Sequence, residues 1–260
     1  MLTSVASWEY RWRFSILIAS QPVLALTVYL FSGCCGTWYS PDFSPTTGYI
    51  AACIATLSIL LRVHATGSLH ARVMASDDPD TSRLVTFGVY ETTRNPLYVS
   101  SLLLFGAYAL FFGVWWAIGF VLLHWLRYQR VIRLEESCLR QQWSQEFDDY
   151  CQKVPRWWPR WHSFGRINGI CISAHGIVSN IVYVGVWAGI IASAVMDNLT
   201  WIIPFEVAGG LVMAFLYRGD STPQAPQTSS AQSAFAQSTS AQPPSDHDGG
   251  ERKDSAGTSD

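Results

Sequence analysis

At 260 residues the chain is long enough to bury a large core, yet 49% of it is apolar and only 14% is charged, a balance that sets it apart from ordinary soluble domains and fits a polytopic membrane protein. The formal net charge of -2 says little by itself, and no nucleic-acid partner is expected; what matters in such a chain is how its charges divide between two sides. The 12 tryptophans fall mostly near the ends of apolar runs, where rings sit at the level of lipid headgroups.

The expected fold is all-α. The expected spans are Phe14 to Phe31, Gly48 to Leu61, Leu97 to Phe112, Val114 to Leu126, His175 to Val195 and Trp201 to Tyr217. Several fall short of the about 20 residues that a perpendicular span needs, so bilayer thinning, tilt or extension through flanking Tyr, Trp and Arg is expected. Arg11 and Arg13 precede the first span, Arg62, Arg72, Arg83 and Arg94 lie between the second and third, Arg127 through Arg166 between the fourth and fifth, and Arg218, Arg252 and Lys253 after the sixth. With these spans and both termini in the cytoplasm, all 17 Lys and Arg lie on the side that positive charge favours. The membrane itself is not specified by the sequence, nor is the oligomeric state. The organisation expected is an interfacial stretch 1–13, a core of four spans plus a cytoplasmic helix at 14–165, two further spans at 166–218, and a Ser-, Gln-, Ala- and Pro-rich cytoplasmic tail at 219–260 that should be disordered.

In chain order, the first span holds Pro22, which should kink the helix rather than end it, and no cleavable signal is evident, so this span is expected to be retained. The second ends in a run where Arg62 nears the membrane surface and, if the helix continues, His64 and Ser68 share a face. The segment Ala75 to Thr81, with Asp77, Asp78, Pro79 and Asp80, reads as a solvated polar turn. The cysteines show no metal spacing, and no metal is expected; Cys34-Cys35 is a poor vicinal disulfide, and Cys53, Cys138, Cys151 and Cys171 read as inert packing residues.

Asn95-Pro96 has the order of a helix N-cap followed by proline at the first helical position, so the third span should start there with its free N–H groups facing the cytoplasm. Those groups and Arg94 beside them favour an anion, a carboxylate being the obvious small-molecule match. The third and fourth spans form a hairpin about Gly113, which sets Glu135-Glu136 roughly 8 Å beyond the level of Pro96 and lets the stretch from Arg83 to Thr93 fold over them. The helix should run on through Trp143. Arg133 and Arg140 lie three and four residues from Glu136, as in an intrahelical ion pair; a binding site is the other reading of this acidic pair, and spacing alone leaves both open. Val154 to Trp161 reads as an aromatic, basic anchor on the membrane, and Asn180 and Glu206 as packing residues.

The run Leu84-Val85-Thr86-x-Gly88-x-Tyr90-x-x-x-Arg94-Asn95-Pro96-x-Tyr98, the hairpin, Arg133-x-Glu135-Glu136-x-x-Leu139, Phe147-x-x-Tyr150 and Val154-Pro155-Arg156-Trp157 together resemble the isoprenylcysteine carboxyl methyltransferase and phospholipid methyltransferase superfamily over roughly Leu61 to Pro159. The resemblance implies a membrane-embedded enzyme that binds S-adenosyl-L-methionine at the cytoplasmic face without a Rossmann domain. It implies that Arg94, Asn95, Pro96, Tyr98, Glu135 and Glu136 line the cofactor pocket and that Leu84, Val85, Gly88 and Tyr90 belong to a loop closing over it. The acceptor implied is a lipid or a prenylated molecule. If it presents a carboxylate, Arg94 or Arg130 would orient it; if an amine, a Glu such as Glu135 would take its proton. Two positions depart from the family pattern: Asn95 stands where many relatives have His, and Ser100 where they have Gly. A sterol-type membrane reductase using NADPH shares a similar hairpin and is the alternative enzyme; a catalytically silent membrane scaffold is the alternative from another class.

Overall fold

The computed structural model describes residues 2–35, 44–69, 79, 81–159 and 177–217; the expected tail at 219–260 and most of the expected turn, residues 75–78 and 80, lie outside them. Among the described residues every regular element is helical.

Helix α1 (Leu2–Arg11) leads into α2 (Arg13–Cys35) through a bend of 85° between Val5–Arg11 and Ser15–Phe31. Helix α2 continues across Pro22. Helix α3 (Pro45–Gly67) begins with proline in its first turn, where the missing N–H costs nothing. Its buried stripe is small, with Gly48, Ala51, Ala55 and Ser58, which lets neighbouring helices approach closely in an apolar medium. Helix α4 (Pro96–Leu110) is joined to α5 (Val114–Lys153) by Phe111, Phe112 and Gly113. Gly113 has φ 111°, a value that only glycine adopts without strain, so the hairpin turns where the sequence put it. Helix α6 (Ile181–Met196) and α7 (Ile202–Tyr217) form a second hairpin through Leu199–Trp201, with Asn198 Oδ1 accepting from Thr200 N at 2.9 Å.

One core unites α2, α3, α4, α5 and α6. Leu17 and Leu24 meet Ala51, Ala55, Leu104, Phe105, Phe120, Tyr183 and Ile190 there. Large apolar side chains also cover outward faces, including Leu57, Leu60, Trp115, Leu122, Leu123, Val207 and Leu211. Such a surface is foreign to a soluble monomer.

Helix α3 is long and apolar enough to cross a membrane, and the bent α1–α2 pair meets the same standard taken together. The segments Pro96–Leu110, Ile181–Met196 and Leu199–Val212 are apolar but shorter.

Helix α5 has 40 residues, and its stretch from Val114 to Trp143 is about 45 Å long against about 22 Å for α4. Its second half therefore overhangs the hairpin, and it breaks at Ser144, whose φ of 38° and ψ of -109° are not helical. The expected helix through Trp143 stops being straight at the next residue. The piece beyond folds Phe147, Tyr150 and Val154 onto Leu84, Leu139 and Trp143.

Candidate functional site

The overhang of α5 meets the loop that precedes α4. A short 3-10 turn, Gly88–Glu91, sits in that loop, with Gly88 at φ 66°. Val89 and Tyr90 pack on Ala65 and Leu97. Tyr150 Oη donates to the Tyr90 carbonyl at 2.7 Å, and Trp143 Nε1 donates to the Thr81 carbonyl at 2.9 Å, so the broken end of α5 holds the loop at two points.

The start of α4 is tied down differently. Arg94 N donates to the Pro155 carbonyl at 2.9 Å, Thr93 Oγ1 to the Trp157 carbonyl at 3.2 Å, and Asn95 Nδ2 to the Arg156 carbonyl at 3.1 Å. Asn95 does occupy the N-cap position, but its side chain is engaged with Arg156 and caps nothing. The Leu97 and Tyr98 N–H groups take no acceptor among the described residues.

A cavity opens between these parts. Leu84, Val85, Tyr90, Arg94, Asn95, Pro96, Tyr98, Glu135 and Glu136 line it, together with Tyr10 and Arg13 from the first helices. Of the site residues expected from sequence, Gly88 and Arg130 are not among its lining residues. Gly88 shapes the loop from behind, where an added Cβ would meet Ser68 Oγ at 3.0 Å. Arg130 instead pairs with Glu9 of α1, its Nε donating to Oε2 at 2.8 Å.

The two glutamates have different surroundings. Glu136 is buried, forms an ion pair with Arg94 Nη1 at 3.0 Å and accepts from Arg156 Nε at 3.1 Å, with a second Arg156 contact through Nη2. The intrahelical partners that spacing allowed are not used: Arg140 bonds Asp148 at 2.8 Å, and Arg156, whose surroundings read as a membrane anchor, joins Arg94 in the pairing. Glu135 accepts one hydrogen bond, from Tyr98 Oη at 2.8 Å. Burial pushes its carboxyl up to about 7, opposed by the Tyr98 hydrogen bond and by Arg13, and reinforced by Glu136.

Between α3, α4 and α6 the same cavity is lined by Arg62, Ser101, Tyr128 and Tyr183, none of them anticipated as site residues. Arg62 is 2% exposed. Its Nε donates to Asn180 Oδ1 at 2.7 Å; Nη1 donates to Ser101 Oγ at 2.9 Å and to the Leu97 carbonyl at 3.2 Å; and its Cζ stands 3.4 Å from the centre of the Tyr183 ring. No carboxylate pairs with Arg62 among the described residues, and Nη2 has no hydrogen bond there. Ser100 also faces it, with Oγ at 3.3 Å from Nη1, which gives the residue in the family's glycine position a polar task. An arginine at a span end followed by a serine pair one helix later was the available signal, and α6 had no motif to join it to them.

The described residues contain no cluster of three metal-ligating side chains. Cys53, Cys138 and Cys151 are free thiols, and burial raises that of Cys151.

Comparison with known proteins shows what the chain is similar to. The phospholipid methyltransferase family model matches residues 46–146, which take in α3, the loop, α4 and α5 to just past its break. Two curated relatives, each named a probable protein-S-isoprenylcysteine O-methyltransferase, from Oryza sativa subsp. indica and subsp. japonica, are 27% identical over 146 residues, covering 54% of this chain and 76% of theirs. No solved structure matches the chain.

Proposed function

We propose, from the similarity of this chain to the phospholipid methyltransferase family and to probable isoprenylcysteine O-methyltransferases, that it uses S-adenosylmethionine to methylate the carboxylate of a lipid-like, prenylated acceptor at the cytoplasmic face of a membrane. The observation that carries the choice of acceptor is Arg62: a buried guanidinium that lines the cavity with no carboxylate against it among the described residues. A cation desolvated in this way is costly unless something anionic joins it. Arg94 and Arg130, the two arginines expected for this role, already pair with Glu136 and Glu9.

The residues present fit the cofactor. Glu135 has capacity beyond its one hydrogen bond and suits an ammonium group. The open Leu97 and Tyr98 N–H groups at the start of α4 suit a carboxylate. Leu84, Val85, Leu139 and Phe147 supply an apolar wall. When bound, S-adenosylmethionine supplies an electrophilic methyl group on a sulfonium sulfur.

The chain's own part is positioning and exclusion of water. Arg62 holds the acceptor carboxylate ionised, so the oxygen that gains the methyl has no proton to lose and needs no base. Tyr98, Tyr128 and Tyr183 keep the surroundings dry. Six membrane spans with both termini in the cytoplasm complete the reading. It is supported by the exposed apolar side chains of α3, α5 and α7 and by the confinement of every Lys and Arg to one side in that arrangement.

The test is transfer of labelled methyl from S-adenosylmethionine by the purified protein in nanodiscs to a total membrane lipid and prenyl-peptide extract. The label should appear as an alkali-labile methyl ester. Arg62→Lys, which keeps the charge but loses the fork, should lower transfer at least about tenfold and leave cofactor binding in place. Label recovered only in alkali-stable N-methyl headgroups would overturn the carboxylate reading and shift the base role to Glu135. No transfer to any component would overturn the enzyme reading.

A further inference from the structure

The methyltransferase match ends at residue 146, yet two residues far beyond it reach the cavity region. We infer that α6 builds the acceptor side of the site, with Asn180 as a positioning residue that fixes Arg62 and Tyr183 as the aromatic surface beneath its guanidinium. This rests on the acceptor reading given above.

Asn180 is fully buried and stands at the N-cap position of α6, but it does not cap that helix. Asparagine is favoured at such positions because its side-chain oxygen can accept a first-turn N–H. Here Oδ1 accepts from Arg62 Nε at 2.7 Å, and Nδ2 donates to Thr66 Oγ1 at 2.9 Å. Thr66 Oγ1 in turn donates to the Arg62 carbonyl at 3.0 Å, so the amide bridges side chain and backbone of one turn of α3. Tyr183, one helical turn along α6, lies flat enough on Arg62 to bring Cζ within 3.4 Å of its ring centre.

An amide is chemically distinct from the carboxylate that would fit the same space. Aspartate at 180 would accept the same hydrogen bond and cancel the charge; asparagine accepts it and leaves the charge whole. With Nε on Asn180, Nη1 on Ser100, Ser101 and Leu97, and one face on Tyr183, the guanidinium has Nη2 left to offer among the described residues. A residue serving only to lock helices together gains nothing from leaving a buried cation unmatched.

The experiment measures direct binding of N-acetyl-S-farnesylcysteine and of its methyl ester to the full chain in nanodiscs, with S-adenosylmethionine affinity and thermal midpoint as controls. The wild type should prefer the free carboxylate by about tenfold or more. Asn180→Asp should abolish that preference without lowering the thermal midpoint, a result that a purely structural amide would not give. Tyr183→Leu should weaken carboxylate binding about fivefold or more, and both variants should keep cofactor affinity within about twofold. A wild type that does not discriminate the two probes, or a preference that survives both substitutions, overturns the inference. Methyl transfer with a surviving preference would leave the enzyme reading standing and remove α6 from the site. A preference lost as expected in a protein that transfers no methyl group would do the reverse.

Discussion

Glu136 faces the guanidinium groups of Arg94 and Arg156, whereas among the described residues its neighbour Glu135 is hydrogen-bonded by the Tyr98 hydroxyl and paired with no arginine. Removing Glu136 leaves two cations facing each other in a buried setting. Glu136→Ala should therefore cost about 2–4 kcal/mol, read as a lower thermal midpoint, and Arg94→Ala should cost less because Arg156 still meets the carboxylate. Glu135 behaves in the opposite way. Its carboxyl lies at about 7 in the protein against an ordinary 4.5, so between those values the folded state keeps a proton that the unfolded state gives up. Its contribution to stability thus falls as pH rises through that window, and Glu135→Gln should raise the thermal midpoint above pH 7 relative to wild type. Binding a cationic group needs the ionised carboxylate, so wild-type affinity for S-adenosylmethionine should fall about tenfold more than that of Glu135→Gln between pH 8 and 6. At this scale the sequence made Glu135, Glu136 and Tyr98 visible because they recur at motif spacing. It hid the division of labour between the glutamates, because Arg156 lies twenty residues from Glu136 and only the break in α5 lets the chain return to it.

That break is a property of an element rather than of a motif. Ser144 holds φ 38°, where a side chain costs about 1 kcal/mol or more. Ser144→Gly should raise the thermal midpoint and keep the loop in place, while Ser144→Val should lower it and loosen the Tyr150–Tyr90 and Trp143–Thr81 ties, measured as faster amide exchange across residues 81–91. Gly88 is the matching requirement on the loop side: Gly88→Ala adds strain at φ 66° and a contact 3.0 Å from Ser68 Oγ, and Ser68→Gly should relieve only the steric part. The start of α4 was legible from proline chemistry and the α4–α5 turn from Gly113, set between two apolar runs. The break in α5 was not, since Gln141 to Gln145 contains neither glycine nor proline and a sequence with ordinary helix formers gives no sign that tertiary packing will bend it.

For the whole molecule, apolar composition and segment order were enough to anticipate an all-helical chain. Apolar runs alone do not locate helix ends, and the helices differ in length from the runs: α2 and α3 extend beyond theirs, while α4 nearly coincides with its own. The Arg62–Asn180 bond joins positions 118 apart, a separation at which neither periodicity nor motif spacing carries information. The reach of α6 into the site was therefore invisible in sequence, where Asn180 read as packing.

The cavity lined by Glu135 and the start of α4 is also the one lined by Arg62 and Tyr183, so cofactor and acceptor are expected to occupy it together. The Cys151 thiol, which accepts from Arg94 Nη1, is not among the residues that line the cavity, and burial pushes that thiol up, away from the thiolate that a methyl carrier would need. Turnover should accordingly pass through a ternary complex, and double-reciprocal plots at varied cofactor should intersect as acceptor is changed. Parallel lines would mean that the protein itself is methylated between the two half-reactions.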